Sequence, residues 1–283
     1  MSWIEVKAIF EQVPEDWSPY VEVFGQFGCE NTLQTDTPPT LSAAVVEVNG
    51  ADEIVARLKE ALLASGASHV ESRSLVEENW EEHWKRFFKP RHIGKHFVIR
   101  PTWETYPLRD GDKEIVLDPG QAFGTGDHPT TRMCLELLEE FLKEGDLVAD
   151  IGCGSGILAV GACKLGAKMV VAVDIEPLSV EVAKENAALN NVSFEAIAGM
   201  GVQALPKEPE QYDLVVSNII SATLISIAGQ VRATVKENGY WVVSGIIEQN
   251  WEDVKEAAEK AGFQVVKVLQ EDDWVGAAMI RVR

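Results

Sequence analysis

The stretch from Leu147 to Asp174, LVADIGCGSGILAVGACKLGAKMVVAVD, constrains the chain most. An apolar run, Leu147 to Ile151, meets three glycines in five residues: Gly152, Gly154 and Gly156. A helical stretch follows, and a second apolar run from Met169 to Val173 ends on Asp174. The reading is strand, tight turn, helix, strand, one βαβ unit. Glycines let the backbone turn sharply and approach a ligand closely. An acid at the end of the second strand is placed to accept hydrogen bonds from ribose hydroxyls.

The dinucleotide fingerprint is G-x-G-x-x-G, and counting from Gly152 its third glycine falls on Ile157. The match therefore fails. G-x-G-x-G followed by Asp174 instead resembles motif I and the ribose-binding acid of S-adenosylmethionine-dependent methyltransferases. That cofactor has no pyrophosphate, so no phosphate cradle is required.

Beyond this unit, apolar runs alternate with helical periodicity. Leu178 to Leu189, Ala222 to Val235 and Asn250 to Ala261 read as helices. Ser193 to Ile197, Tyr212 to Val216 and Tyr240 to Ser244 read as strands. Such alternation means an α/β parallel, doubly wound sheet. Phe263 to Leu269 and Val275 to Val282 form a closing pair that makes the last strand antiparallel, the Rossmann-like sheet of class I methyltransferases.

Upstream, Ile115 begins a strand that runs into a loop holding Gly120, Gly124 and Gly126. Pro129 then occupies the favoured first position of a helix whose stripe includes Leu135, Leu138 and Leu142. Thr130 and Thr131 sit in its first turn, where free N–H groups are expected to meet a carboxylate. Phe123 is an apolar residue inside that loop, and His128 precedes the helix as a cap or a proton acceptor.

Residues 1–74 read as a separate domain. Strands Trp3 to Ala8, Asn31 to Thr37, Ala43 to Val48 and Ser68 to Leu75, with helices Pro14 to Phe27 and Ala51 to Ala64, give the α+β order βαββαβ, which is ferredoxin-like. A binding platform is the functional reading of this domain, and a stabilising appendage the bland one. Glu77 to Phe88 is a helix with Trp80, Trp84 and Phe87 on one stripe. With a hairpin from Ile93 to Arg100, turning at Gly94, it makes residues 75–100 a linker. Residues 101–283 are the methyltransferase domain.

The net charge of −20 argues against a broad nucleic-acid footprint and favours a basic partner. No apolar run reaches the ~20 residues of a membrane span. MSWIEVKAIFEQ carries an acid early and lacks the basic start of a signal peptide. Cys29, Cys134, Cys153 and Cys163 form no C-x-x-C pair and read as reduced thiols, so a cytoplasmic protein is expected. His83, His92 and His96 show no metal-ligand pattern.

LDPGQAFGTGDHPTT, DIGCGSGILA, VVAVD and VVSNII, with the N-terminal platform and EENWEEHWKRFF, together resemble the bacterial large-subunit ribosomal protein L-eleven methyltransferase family, PrmA. The resemblance covers essentially the whole chain, and the FGTG-x-HPTT segment is its most specific part. It implies cofactor contacts from Thr131, Gly152, Gly154, Asp174 and Asn218. It implies methylation of lysine side-chain and N-terminal amines of a ribosomal protein, free or on the ribosome, without sequence-specific nucleic-acid binding. The N-terminal domain would recognise the substrate. Asn218-Ile219-Ile220-Ser221 departs from the familiar Asn-Ile-Leu-Ala and lacks the stacking ring used by enzymes that modify planar nitrogens. Asn218, Phe123 and His128 are the candidates for the substrate amine, with Trp274 as a further wall. The alternatives are lysine methylation of another, metabolic protein, and a non-catalytic cofactor-binding module in ribosome assembly.

Overall fold

A computed structural model describes residues 3–14, 16–29, 32–46, 51–75, 88–118, 126, 128–206 and 211–282. The chain divides into two compact units, residues 1–87 and 88–283. The first holds β1 (Trp3–Ile9), α1 (Ser18–Gln26), β2 (Thr32–Asp36), β3 (Pro39–Val46), α2 (Ala51–Ala64) and β4 (His69–Leu75). Its antiparallel sheet has the order β2-β3-β1-β4, the ferredoxin-like arrangement that the element order predicts. Strand periodicity puts Ile4, Val6 and Ala8 into the core beneath Leu58 and Leu62 of α2. Glu5 and Lys7 take the opposite face and pair across strands with Arg73 at 2.6 Å and Glu71 at 3.6 Å. The first helix starts at Ser18 rather than Pro14, because the Asp16 carboxylate accepts the Ser18 N–H at 2.8 Å. The third strand starts at Pro39, four residues before the expected Ala43, since a two-residue turn at Thr37-Pro38 already reverses the chain. The expected helix from Glu77 to Phe88, with Trp80, Trp84 and Phe87, lies outside the described residues but for Phe88.

The second unit opens with a small sheet of β5 (Arg91–Ile93), β6 (Phe97–Arg100) and β7 (Lys113–Val116), in that order; the hairpin and the strand at Ile115 match expectation, and the parallel pairing of β6 with β7 is the addition. The hairpin expected to belong to a linker over 75–100 is therefore part of this unit. Burial explains it: Phe97 is fully buried and Ile93 nearly so, in the main core. One carboxylate, Glu139, accepts the N–H groups of Lys95, His96 and Phe97 at 2.7, 2.8 and 3.0 Å, which fixes the turn to the neighbouring helix.

The main sheet has seven strands: β8 (Leu147–Ile151), β9 (Met169–Asp174), β10 (Glu195–Ala198), β11 (Tyr212–Asn218), β12 (Val235–Ile247), β13 (Phe263–Glu271) and β14 (Trp274–Arg281). The order is β10-β9-β8-β11-β12-β14-β13, with only β14 antiparallel to its neighbours. On one face pack α3 (Pro129–Phe141) and α4 (Ile157–Lys164), through Leu135, Leu138 and Val160. On the other pack α6 (Ser221–Thr234) and α7 (Trp251–Ala261), through Leu224, Val231 and Ala258. The fifth helix, α5 (Pro177–Leu189), packs beside α4 through Ala183. Along β8, Val148 enters the first core and Ala149 and Ile151 the second, so both faces of the strand are covered, as a parallel sheet requires. The order steps outward in opposite directions from β8 and β11, and ligands in such sheets bind at the carboxyl ends of the strands flanking that reversal. No helix among the described residues is long and apolar enough to cross a membrane.

Candidate active site

At that reversal lies a cavity of about 820 Å³, walled by residues from the ends of β8, β9 and β11 and from the start of α6. Gly152, Gly154, Asp174, Asn218, His128 and Trp274 all reach its wall. The three glycines adopt positive φ of 80°, 52° and 76° at Gly152, Gly154 and Gly156, the region where glycine is least strained. Two of them also stand in tight packing. A Cβ on Gly152 would lie 2.3 Å from Ile219 Cγ2, and one on Gly156 would lie 2.8 Å from the Ala183 Cβ.

The amides of the glycine turn are used within the protein. Gly152 and Cys153 donate to the Val173 carbonyl at 2.8 and 3.0 Å, and Gly156 donates to the Cys153 carbonyl at 2.8 Å. Gly154 donates to Asp174 Oδ2 at 2.8 Å, while Asp174 Oδ1 accepts from Glu176 N–H at 3.0 Å. These four amides thus form no anion cradle, in keeping with the sequence argument against a pyrophosphate. Asp174 closes the turn and still reaches the cavity wall.

Behind the turn, Asp150 is fully buried. Its Oδ2 accepts the Ala159 N–H at 3.1 Å, which caps α4 where Gly156 has no side chain to do so. Its Oδ1 has no hydrogen-bond partner among the described residues. Burial pushes its pKa up to about 7, with the Asp174 charge adding to the rise and the Ala159 N–H opposing it. Burial likewise raises the Cys153 and Cys134 thiols, which remain protonated and inert. All four cysteines are free. Among the described residues no cluster could hold a metal ion.

The segment from Asn218 to Ile220 is held by Gly245 as well as Gly152. A Cβ on Gly245 would stand 2.5 Å from the Ile219 carbonyl oxygen, and Ile219 N–H donates to Ser244 O at 3.2 Å. Ile219 is therefore wedged between two glycines from different strand ends. This fixes Asn218, whose Nδ2 donates to Thr131 Oγ1 at 3.4 Å across 87 residues of sequence. Among the described residues the buried Asn218 Oδ1 has no hydrogen-bond partner, and Asn218 lines the cavity. Thr131 is fully buried and Thr130 stands at the wall, so Thr131 supports Asn218 from behind.

His128 is the N-cap of α3. Its Nδ1 lies 2.8 Å from Thr130 Oγ1 and accepts Thr130 N–H at 3.4 Å. Its carbonyl accepts from Thr131 and Arg132 at 3.1 and 3.2 Å. The expectation of free N–H groups at this helix start is corrected: Pro129 has none, and those of residues 130–132 are taken by His128. Burial lowers the His128 pKa, the Arg132 charge lowers it further, and Glu271 opposes the change. The ring is thus neutral at pH 7, and its edge meets the Trp274 ring at 4.8 Å between centroids. His128→Ala is expected to cost about 1 kcal/mol of stability, the worth of a cap, with the pH profile of turnover unchanged. Thermal melts and rates from pH 5 to 9 check this; loss of the fall in rate on the acidic side would instead make His128 the proton acceptor.

Phe123, Gly120 and Gly124 lie outside the described residues. Sequence reasoning missed Asp150 and Gly245. An acid two residues before Gly152 was a legible signal for the first. The second depends on which segment crosses above it, and no local pattern reports that. Ile175, Met200 and Ile220 also line the cavity while remaining well exposed.

A family profile described as ribosomal protein L11 methyltransferase (PrmA) matches residues 14–281. The ribosomal protein L11 methyltransferase of Caldanaerobacter subterraneus subsp. tengcongensis is 40% identical over 233 residues, 82% of this chain and 74% of the relative. That of Clostridium perfringens strain SM101 is 42% identical over 223 residues, 78% of this chain and 70% of the relative. The crystal structure of a ribosomal protein L11 methylase from Lactobacillus delbrueckii subsp. bulgaricus is similar with a TM-score of 0.64 and 33% identity, over 69% of this chain and 100% of that one.

Proposed function

The chain belongs to the ribosomal protein L11 methyltransferase (PrmA) family, and we propose that it transfers methyl groups from S-adenosylmethionine to lysine side-chain and N-terminal amines of ribosomal protein L11. The observation that carries this reading is Asn218. Its side-chain Oδ1 is a buried acceptor with no partner among the described residues, in a residue of the cavity wall, and neither Ile219 nor Ile220 offers a ring to stack on a planar nitrogen. An sp³ amine needs an acceptor for its N–H, not a stacking face.

The residues present fit the cofactor. It carries positive charge and no phosphate; the turn offers the Asp174 carboxylate at the cavity wall and no anion cradle. Asp174 would take the ribose hydroxyls, and the Gly152 to Gly154 backbone would lie against the cofactor. Asn218 and the Thr130-Thr131 start of α3 would close the opposite side. Bound there, S-adenosylmethionine supplies an already activated methyl electrophile. The protein's part is to exclude water, align the amine and receive it neutral. A free lysine, with a pKa of about 10.4, is mostly ammonium at pH 7. Desolvation in an apolar-walled cavity favours the neutral amine. Asn218 Oδ1 would hold one amine N–H and point the lone pair, while Trp274 and Phe123 would flank the aliphatic stem. With His128 held as a cap, the amine's proton leaves to water.

Incubating the purified protein with labelled cofactor and L11, then measuring intact mass, should show increments of whole methyl groups on L11 alone. No increment on L11 would sink the assignment. Asp174→Ala should weaken cofactor binding by about 1–3 kcal/mol, the loss of hydrogen bonds to a charged group. Calorimetry measures it, and an unchanged affinity would remove Asp174 from the site.

A further inference from the structure

Helix α5 carries two buried asparagines one turn apart, and each is bonded to a different segment of the site. Asn186 Nδ2 donates to the Ser155 carbonyl, inside the glycine turn, at 2.8 Å. Asn190 grips Val116 in β7 with both ends of its amide: Oδ1 accepts the Val116 N–H and Nδ2 donates to the Val116 carbonyl, each at 2.7 Å. The same Nδ2 donates to the Asn186 carbonyl at 2.8 Å, and Lys164 Nζ donates to the Asn190 carbonyl at 2.8 Å. Val116 stands just before the glycine-rich segment that leads to His128, Thr130 and Thr131.

Packing ties the same parts together. Ala183 of α5 lies so close to Gly156 that a Cβ there would stand 2.8 Å from its own. A Cβ on Gly126, two residues before His128, would meet Ile157, the first residue of α4, at 3.3 Å. The ladder Ser155, Asn186, Asn190, Val116 thus ties the glycine turn, which lines the cavity, to β7, which precedes the His128 and Thr130 wall in sequence. An asparagine amide is suited to this, since it satisfies both backbone groups of a strand residue at once. Aspartate at 190 would turn the donor into a third acceptor facing two carbonyls.

We propose that Asn186 and Asn190 are positioning residues that set the spacing between the glycine turn and the strand feeding the Thr130-Thr131 side, and so set affinity for the cofactor. This rests on the reading of the cavity as the S-adenosylmethionine site. Neither side chain lines the cavity.

The full chain tests it in two ways. By calorimetry, Asn190→Ala and Asn186→Ala should each weaken S-adenosylmethionine binding by about tenfold, and the double variant by little more than either single, because the ladder acts as a unit. Ala258→Gly alters a fully buried position of α7 that does not line the cavity; it should lower the melting temperature without changing that affinity. Unchanged affinity in both asparagine variants overturns the proposal, as does additivity. By amide exchange without ligand, Asn190→Ala should speed exchange at Gly154 as well as at Val116. Faster exchange at Val116 alone overturns it. Should the variants not fold, adding S-adenosylhomocysteine to the unaltered protein should slow Val116 and Gly154 together; slowing of Gly154 alone overturns it. Failure of the unaltered protein to bind either compound strikes the functional reading instead, and ligand-free exchange still decides on the ladder.

Discussion

Gly152→Ala should abolish measurable cofactor binding and lower stability by more than a surface substitution does. At φ of 80° a side chain costs roughly 1–2 kcal/mol in backbone strain. The added methyl also meets Ile219 Cγ2 at 2.3 Å. That methyl is on a branched carbon with little rotamer freedom, and the backbone beneath it is blocked by Gly245. Relief requires the Asn218-Ile219 segment to lift, which takes Asn218 away from Thr131. The expected total is about 3 kcal/mol or more, the size of overpacking plus strain. Adding Ile219→Ala removes the colliding methyl, so the double variant should regain part of the affinity. If Gly152→Ala binds normally by calorimetry, or if Ile219→Ala gives no rescue, the wedge does not hold the site.

Removing residues 1–87 should leave cofactor binding within about twofold and reduce methylation of L11 by 10²–10⁴-fold, the gain an added docking module typically brings. The second unit has its own seven-stranded sheet and two cores, so the remaining chain keeps every described residue of the cavity. Calorimetry and intact-mass kinetics on the truncated chain separate the two effects. Full methylation after truncation would show that the N-terminal unit is not the recognition element.

The sheet was legible because its central strands β8, β9 and β11 read as apolar runs, and β8 and β9 end where Ile151 and Asp174 stand in the sequence. The hairpin of β5 and β6 was legible at Gly94, but the small sheet it makes with β7 was not, because its strands have three or four residues and β6 pairs with β7 across an irregular stretch of twelve. Its stability comes from Phe97 in a distant core and from Glu139, neither visible in a local window. At the site, Gly152, Gly154, Asp174 and Asn218 could be picked from residue type and register. The supports could not. Gly245 matters only because Ile219 crosses it, and Asn190 only because β7 arrives beside it. The N-cap of α3 shows the same limit: the sequence offered His128 as cap or proton acceptor, and only its bonds to the first-turn amides decide for the cap.

The inward-turned amides of Gly152, Cys153, Gly154 and Gly156 also decide which metabolites the site ignores. Adenine nucleotides and dinucleotide coenzymes share the adenosine half of the methyl donor and are abundant in any cell. A turn with spent donors gives their phosphates no foothold, and the carboxylate of Asp174 at the cavity wall sets a negative field against them. Selection for a sulfonium over a phosphate chain is thereby built into how the loop hydrogen-bonds to itself.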